Sequence, residues 1–461
     1  MDIKDIKVTY FLGIGGIGMS AIARYFKHSE IEVIGYDRTN TPLTKTLEAE
    51  GMFIHYFDDV AFVKSLNLDP RHTLVIITPA IPKNHQEWNY FKKHNFTIQK
   101  RSEVLGTLSK ACKTIGVAGT HGKTTTSTII AHVLTQSQIG CNAFLGGISS
   151  NYQTNLLLHQ AANSLPSAEQ FTVVEADEFD RSFLTLHPFI SIITSTDADH
   201  LDIYGAHGAM QQSFLDYANR LVKGGTLFIK YGLEIEKKLS VHHFTYGFDP
   251  KADIYADSIK INEAEHIFDL HIAGKHIKEL SLGIPGLHNV ENAIAASAAC
   301  LLAGVTEDEL RQALLSFKGV KRRFEYVIKT NEQIFIDDYA HHPEEIKAII
   351  SSVKQMYPNH KLVAAFQPHL YTRTRDFADA FAESLSMADQ LFLLEIYPAR
   401  ELPIEGVNSQ MILNKMSSKE KILCSKQELI AYVKQQRPKL FLTLGAGDID
   451  ALVQPIKEAL I

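Results

Sequence analysis

Cysteine is scarce in this chain and scattered along it. Only four of 461 residues, Cys112, Cys141, Cys300 and Cys424, carry a thiol, and no two stand as C-x-x-C. That excludes a disulfide framework and a zinc knuckle, and it points to a reducing compartment. An excess of one charge is also missing. The 46 basic and 52 acidic residues leave a formal net charge of -6, with no basic face or tail. Neither nucleic acid nor an anionic membrane is therefore an expected partner. No apolar run approaches the length that spans a bilayer, and the first residues alternate charged with apolar side chains instead of forming a signal-peptide core. The expectation is a soluble, cytoplasmic protein acting on a small molecule. Its length exceeds what one hydrophobic core serves, and about three domains are expected.

What is present centres on Thr114-Ile115-Gly116-Val117-Ala118-Gly119-Thr120-His121-Gly122-Lys123-Thr124-Thr125-Thr126. An apolar strand runs there into a glycine turn and then a helix. Gly119 and Gly122 let backbone N–H groups approach an anion, together with those of Thr120, His121 and Thr125 along the loop. The helix points its positive end at the same place, Lys123 adds a mobile cation, and the Thr124 hydroxyl suits Mg²⁺. Such a cradle takes a nucleoside triphosphate. Val117 stands where the general pattern G-x-x-x-x-G-K-[ST] has its first glycine.

Upstream, a buried strand from Lys7 to Leu12 leads into Gly13-Ile14-Gly15-Gly16-Ile17-Gly18, which satisfies G-x-G-x-x-G before a helix. A second strand, Glu32 to Tyr36, ends in Asp37, the acidic residue that this motif places near a ribose. The first hundred or so residues thus form a Rossmann-like unit. Its motif serves a nicotinamide or flavin cofactor, a nucleotide sugar, or no ligand at all. A further strand, Thr73 to Thr78, delivers Pro79-Ala80-Ile81-Pro82 to its C-terminal end, either as part of a ligand crevice or as a stiffened loop.

Downstream of the phosphate loop, two apolar strands end in acidic clusters, Glu175-Ala176-Asp177-Glu178 and Asp197-Ala198-Asp199-His200. In a doubly wound sheet those ends share an edge with the loop, where Glu175 and His200 suit the metal of a nucleotide. Short alternating runs between Gly225 and Glu279 predict a β-rich margin, and Gly286-Leu287-His288-Asn289 opens an alanine-rich helix. Lys318 to Arg323 carries four cations in six residues and reads as a linker. Beyond it, four strands end in polar chemistry: Asp337-Asp338-Tyr339-Ala340-His341-His342-Pro343, Gln367-Pro368-His369 through Arg373 and Arg375, Glu395, and Gly445-Ala446-Gly447-Asp448. Arg and His on such an edge suit carboxylate and phosphate partners. His341 and His342 alternatively do no more than start a helix before Pro343.

Together these segments, with His288-Asn289-Val290-Glu291-Asn292 and Phe366-Gln367-Pro368-His369, resemble the Mur ligase family almost end to end. The resemblance implies an α/β protein of three domains: a Rossmann-like domain over 1–107, a central P-loop ATPase-like domain over 108–321, and a Rossmann-like domain over 322–461. It implies ATP-dependent amide formation through an acyl phosphate, with ATP and Mg²⁺ as cofactors and UDP-N-acetylmuramate and L-alanine as substrates, in a monomer or weak homodimer.

Carried over by position, Gly13, Gly15, Gly16, Gly18 and Asp37 would bind the uridine nucleotide. Lys123 would face the phosphates, and Thr124, Glu175 and His200 would hold two magnesium ions. His288, Asn289 and Asn292 would face the adenine, Asp338 or Asp337 the ribose, and Arg323 the phosphate on domain closure. Tyr339, His341 and His342 would line the amino-acid site, with His342 or His341 acting on the amine and Arg373 or Arg375 pairing with the carboxylate. Two departures stand out. Leu201 to Arg220 contains no lysine for the carbamylated residue of several relatives, and Leu370 replaces a common arginine. A ligase for a preformed tripeptide is the nearest alternative, and an NAD-dependent dehydrogenase is a remote one.

Overall fold

The structure, a computed structural model, describes residues 5–159, 168–198, 201–262, 265–399, 401–418 and 420–461. His200 and Asp199, expected near the metal, lie outside these residues. Three sheets carry the chain.

The first holds β1 (Val8–Leu12), β2 (Glu32–Tyr36), β3 (Phe53–His55), β4 (Thr73–Ile77) and β5 (Thr97–Lys100), in the order β3-β2-β1-β4-β5. All four pairings are parallel. Strands β1 and β4 are apolar almost throughout because helices cover both faces. The order reverses between β1 and β4, so their C-terminal ends open the crevice into which Gly13 to Gly18 projects.

The second sheet comprises β6 (Lys113–Ala118), β7 (Asn142–Phe144), β8 (Leu156–Leu157), β9 (Phe171–Glu175), β10 (Ile190–Ile193), β11 (Thr226–Lys230), β12 (His243–Gly247), β13 (Ile254–Asn262), β14 (Glu265–Ile272) and β15 (Lys275–Leu282). Its order is β15-β14-β13-β12-β11-β10-β6-β9-β7-β8, which places the expected β-rich margin at one side. Strand β6 is flanked by β10 and β9, both parallel to it, so the chain leaves all three at one edge. The third sheet has β16 (Glu325–Lys329), β17 (Ile334–Asp338), β18 (Leu362–Phe366), β19 (Gln390–Leu393), β20 (Lys421–Leu423) and β21 (Leu440–Leu444), ordered β16-β17-β21-β18-β19-β20. Only β16 is antiparallel to its neighbour.

By its contacts the chain divides into two compact units. One holds Met1–Asp257, Leu270–Ile277 and Asn292–Leu314, and the other Ser258–Asp269, Lys278–Glu291 and Leu315–Ile461. The first unit joins the first sheet to most of the second because one apolar cluster runs through both, from Phe11, Ile22 and Phe26 to Phe183, Phe214 and Tyr217. In the second unit separate clusters cover the two faces of the third sheet, one around Ile336, Ile350, Phe366 and Leu442, the other around Phe335, Phe392 and Phe441. Among the described residues no helix is long and apolar enough to cross a membrane.

Candidate active site

In the first unit, β6 ends at Ala118 and the loop turns into the Lys123–Gln136 helix through Gly122, whose φ of 82° is left-handed. A residue with a Cβ is strained there, which explains glycine at the helix cap. The loop is latched from β10 by residues that no motif points to. Thr194 Oγ1 donates to the carbonyls of His121 and, at 3.2 Å, Ala118, while Ser195 Oγ accepts from His121 N at 2.8 Å and bonds Thr120 Oγ1 at 2.8 Å. Asn292 closes the other side, its Oδ1 2.6 Å from where a Gly122 Cβ would stand. Thr125 is buried on the first turn of the helix.

The acidic end of β9 meets this loop. Thr124 Oγ1 donates to Glu175 Oε2 at 2.9 Å, so the hydroxyl and the carboxylate expected at a metal share one place. Gly146, after β7, approaches so closely that a Cβ there would run into the Glu175 carboxylate. Lys123 Nζ donates to Gly119 O at 2.6 Å and pairs with Glu178 at 2.8 Å. Burial raises the Glu178 carboxyl to about 7 against the pull of Lys123. The Lys123 ammonium is itself desolvated, yet Glu178, Glu175 and Asp177 overcome that and push its pKa up, which keeps it cationic.

At the first sheet, Gly15 N donates to Asp37 Oδ2 at 2.7 Å and Thr39 N to Asp37 Oδ1 at 3.0 Å. The acidic residue expected at a ribose here also holds the glycine loop. Gly16 is the N-cap of the Ile17–His28 helix, with no side chain capping it.

In the second unit, the cationic stretch folds onto the end of β17. Arg322 Nε donates to Asp337 Oδ2 at 2.9 Å, and Thr443 Oγ1 to Asp337 Oδ1 at 2.6 Å. Asp338 accepts from Phe324 N at 2.6 Å and Ala340 N at 2.7 Å, and burial pushes its carboxyl up to about 6. Both aspartates thus serve as local staples. The Tyr339 ring lies beneath two guanidinium groups, Arg323 at 5.0 Å and Arg322 at 5.3 Å, and Arg323 Nη1 reaches Glu345 at 3.5 Å.

His288 is partly buried, burial lowers its pKa to about 4, and its neutral ring faces Phe324 at 6.5 Å. Asn289 is buried, its amide donating to Pro285 O at 2.5 Å. His342 caps the Pro343–Met356 helix by accepting from Glu344 N at 3.4 Å, so the helix-start reading of this residue holds. His341 pairs with Glu345 at 3.2 Å and meets His369 edge-on at 6.0 Å. The two arginines separate: Arg373 is buried, whereas Arg375 is exposed and pairs with its neighbour Asp376 at 2.7 Å.

Comparison with known proteins matches three family models along the chain: the Mur ligase family catalytic domain over 8–113, the Mur ligase middle domain over 117–300 and the Mur ligase glutamate ligase domain over 322–447. A UDP-N-acetylmuramate–L-alanine ligase of Parabacteroides distasonis is 47% identical over 100% of this chain and 98% of its own length. That of Porphyromonas gingivalis is 48% identical over 99% of each. Among solved structures, the UDP-N-acetylmuramate–alanine ligase of Thermotoga maritima superposes with a TM-score of 0.78 at 28% identity, covering 98% of both chains. A murein peptide ligase of Psychrobacter arcticus gives 0.70 at 23% identity over the same share, which bears on the fold alone.

Proposed function

The chain belongs to the Mur ligase family, and from that premise we propose that it joins L-alanine to the lactyl carboxylate of UDP-N-acetylmuramate, coupled to ATP cleavage, in peptidoglycan precursor synthesis. The observation that carries this reading is the meeting of Thr124 with Glu175 beside a lysine-bearing phosphate loop, in a chain nearly half identical to ligases of that name over its whole length. The proposed division is 1–107 for the uridine nucleotide, 108–321 for ATP and 322–461 for the amino acid. The proposed setting is the cytoplasm, as a monomer or weak homodimer.

The residues fit a magnesium nucleotide. Thr124 and Glu175 offer oxygen donors side by side, Gly146 leaves the carboxylate room, and Lys123 stays charged. With His200, these oxygens would hold Mg²⁺, which supplies countercharge for phosphoryl transfer when bound. Lys123 and the loop N–H groups stabilise charge on the phosphates as the lactyl carboxylate attacks the γ-phosphorus and ADP leaves. The alanine amine then attacks the acyl carbon of the resulting acyl phosphate, and inorganic phosphate departs.

His288 and Asn289 would receive the adenine, with Asn292 nearby in sequence, because a neutral, partly buried imidazole beside an aromatic ring suits a flat heterocycle. Asp338, Arg323 and Tyr339 would flank the nucleotide and amino acid, His341 and His342 would orient the amine, and buried Arg373 would pair with its carboxylate. Phosphate release from ATP, measured with UDP-N-acetylmuramate and each amino acid in turn, tests the reading. L-alanine should be the best acceptor. Turnover only with a preformed tripeptide would favour the tripeptide ligase, and stabilisation by NADH instead of UDP-N-acetylmuramate would favour the dehydrogenase.

A further inference from the structure

Arg101 belongs to none of the motifs, yet it joins the first glycine loop to the acidic end of β9 beside the phosphate loop. It opens the Arg101–Lys110 helix directly after β5. Its Nη2 donates to Asp177 Oδ2 at 3.1 Å, so it is held by the same acidic strand end that supplies Glu175 and Glu178. The rest of the guanidinium lies against the backbone of Gly18. A Cβ at Gly18 would collide with Arg101 Nη1 and stand 3.1 Å from Cδ and Cζ. One planar cation thus touches the last glycine of the first loop and a carboxylate two residues from Glu175. The whole arrangement lies within the first unit.

The pair is an unusual place to invest an arginine if stability were its role. Both side chains remain partly exposed, 22% for Arg101 and 36% for Asp177, and a single hydrogen bond in that setting adds little to folding. Position is what it supplies. The Ile17–His28 helix, which contains Gly18, is also tied to the second sheet by Asn155, whose amide donates to Ile17 O at 2.5 Å and Ser20 Oγ at 3.0 Å, and Lys100 pairs with Asp180 at 2.9 Å beside it. Among the described residues Arg101 alone joins Gly18 to Asp177, and a planar donor clamped on two sides sets that distance more sharply than a point contact does. Nor is the residue interchangeable with lysine, because a point ammonium cannot lie flat over Gly18 and reach Asp177 together.

We propose that Arg101 is a positioning residue: clamped between Gly18 and Asp177, it fixes the uridine-nucleotide loop relative to the phosphate loop and so sets the approach of the substrate carboxylate to the phosphate it attacks. This rests on reading the two loops as the two nucleotide sites. Arg101 touches neither reacting atom and carries no proton. Its effect falls on turnover, because a small misplacement of two bound reactants costs rate while each still binds.

The test uses the full chain with UDP-N-acetylmuramate, L-alanine and ATP. Arg101→Gln and Asp177→Asn should each lower kcat by about 10- to 100-fold while the KM for ATP and for L-alanine stays within about twofold. The thermal midpoint should not move. The double variant should be no slower than the slower single one, since both remove the same clamp. Arg101→Lys should recover part of the loss, since it keeps a charge beside Asp177 but not the planar contact with Gly18. Normal turnover in Arg101→Gln, or fully additive losses in the double variant, would overturn the proposal. A wild-type chain that releases no phosphate with these substrates would instead overturn the functional reading beneath it.

Discussion

Lys123 and Glu178 form an ion pair of 2.8 Å at the foot of the phosphate loop, and the carboxylate is almost wholly removed from water. The ammonium thus has two tasks. It is a countercharge for phosphates, and it is the partner that makes a buried carboxylate tolerable. Lys123→Ala should lower turnover by about 10²–10³ or more, as loss of one preorganised charge-stabilising donor does. It should also destabilise the fold by about 3 kcal/mol, because Glu178 is left buried without its cation. Adding Glu178→Gln should restore the thermal midpoint and leave turnover low. A single variant with unchanged stability would show that Glu178 finds another partner.

Gly146 offers a way to disturb the metal site without removing any ligand. A methyl group there would meet the Glu175 carboxylate and turn it away from Thr124. Gly146→Ala should therefore raise the Mg²⁺ concentration needed for half-maximal turnover by about tenfold or more, as loss of a supporting contact around a metal ligand does. Glu175→Gln should do so at least as strongly. An unchanged magnesium dependence in both would place the ion away from β9.

What the sequence made legible was chemistry fixed by neighbouring residues. Gly122 is needed because the helix cap is left-handed there, and Asp37 follows β2 because the glycine motif in front of it sets the spacing; both follow from local backbone geometry. Thr194, Ser195, Gly146 and Arg101 reach the same sites from other strands and helices. No pattern within a short window announces a residue whose role is a contact with a distant part of the chain, such as Ser195 to His121. Strand β16 escaped for a related reason, since it is an antiparallel edge strand whose residues are only half covered. His342 was open to two readings because a histidine before a proline serves as a helix cap or as a site residue, and its cap bond to Glu344 shows only in three dimensions.

Burial separates two arginines that look equivalent in sequence. Arg373 is withdrawn from water in the short Tyr371–Asp376 helix, where a substrate carboxylate would be desolvated with it, while Arg375 faces solvent and is neutralised by Asp376. A hydrogen bond to a charged group is worth enough that Arg373→Ala should raise the KM for L-alanine by about 10- to 100-fold. Arg375→Ala should leave it within about twofold, because exposed pairs contribute little. Equal effects in the two variants would mean that the carboxylate lies at the surface.

Glu87 links the stability of the first sheet to pH. Its side chain is fully buried, Oε2 accepting from Tyr10 Oη at 2.9 Å and Oε1 from Asp59 N at 2.8 Å, and burial raises its carboxyl to about 7. A carboxyl whose folded pKa lies above its unfolded value stabilises the fold while protonated. That contribution is complete below the unfolded pKa of about 4 and is lost as pH rises to about 7. His55 and His85, pushed down by their own burial, work in the opposite sense, since they fold neutral and gain as pH rises. The wild type alone would therefore show a blurred profile. Glu87→Gln removes one term and leaves the histidines, and Tyr10 keeps a partner in His55 Nε2 at 2.8 Å. The stability of the variant relative to the wild type should accordingly increase between pH 5 and pH 8, by at most about 3 kcal/mol. Denaturant unfolding of both proteins at the two pH values measures it directly, and a difference that stays constant across that window would mean that Glu87 is ionised in the folded protein throughout.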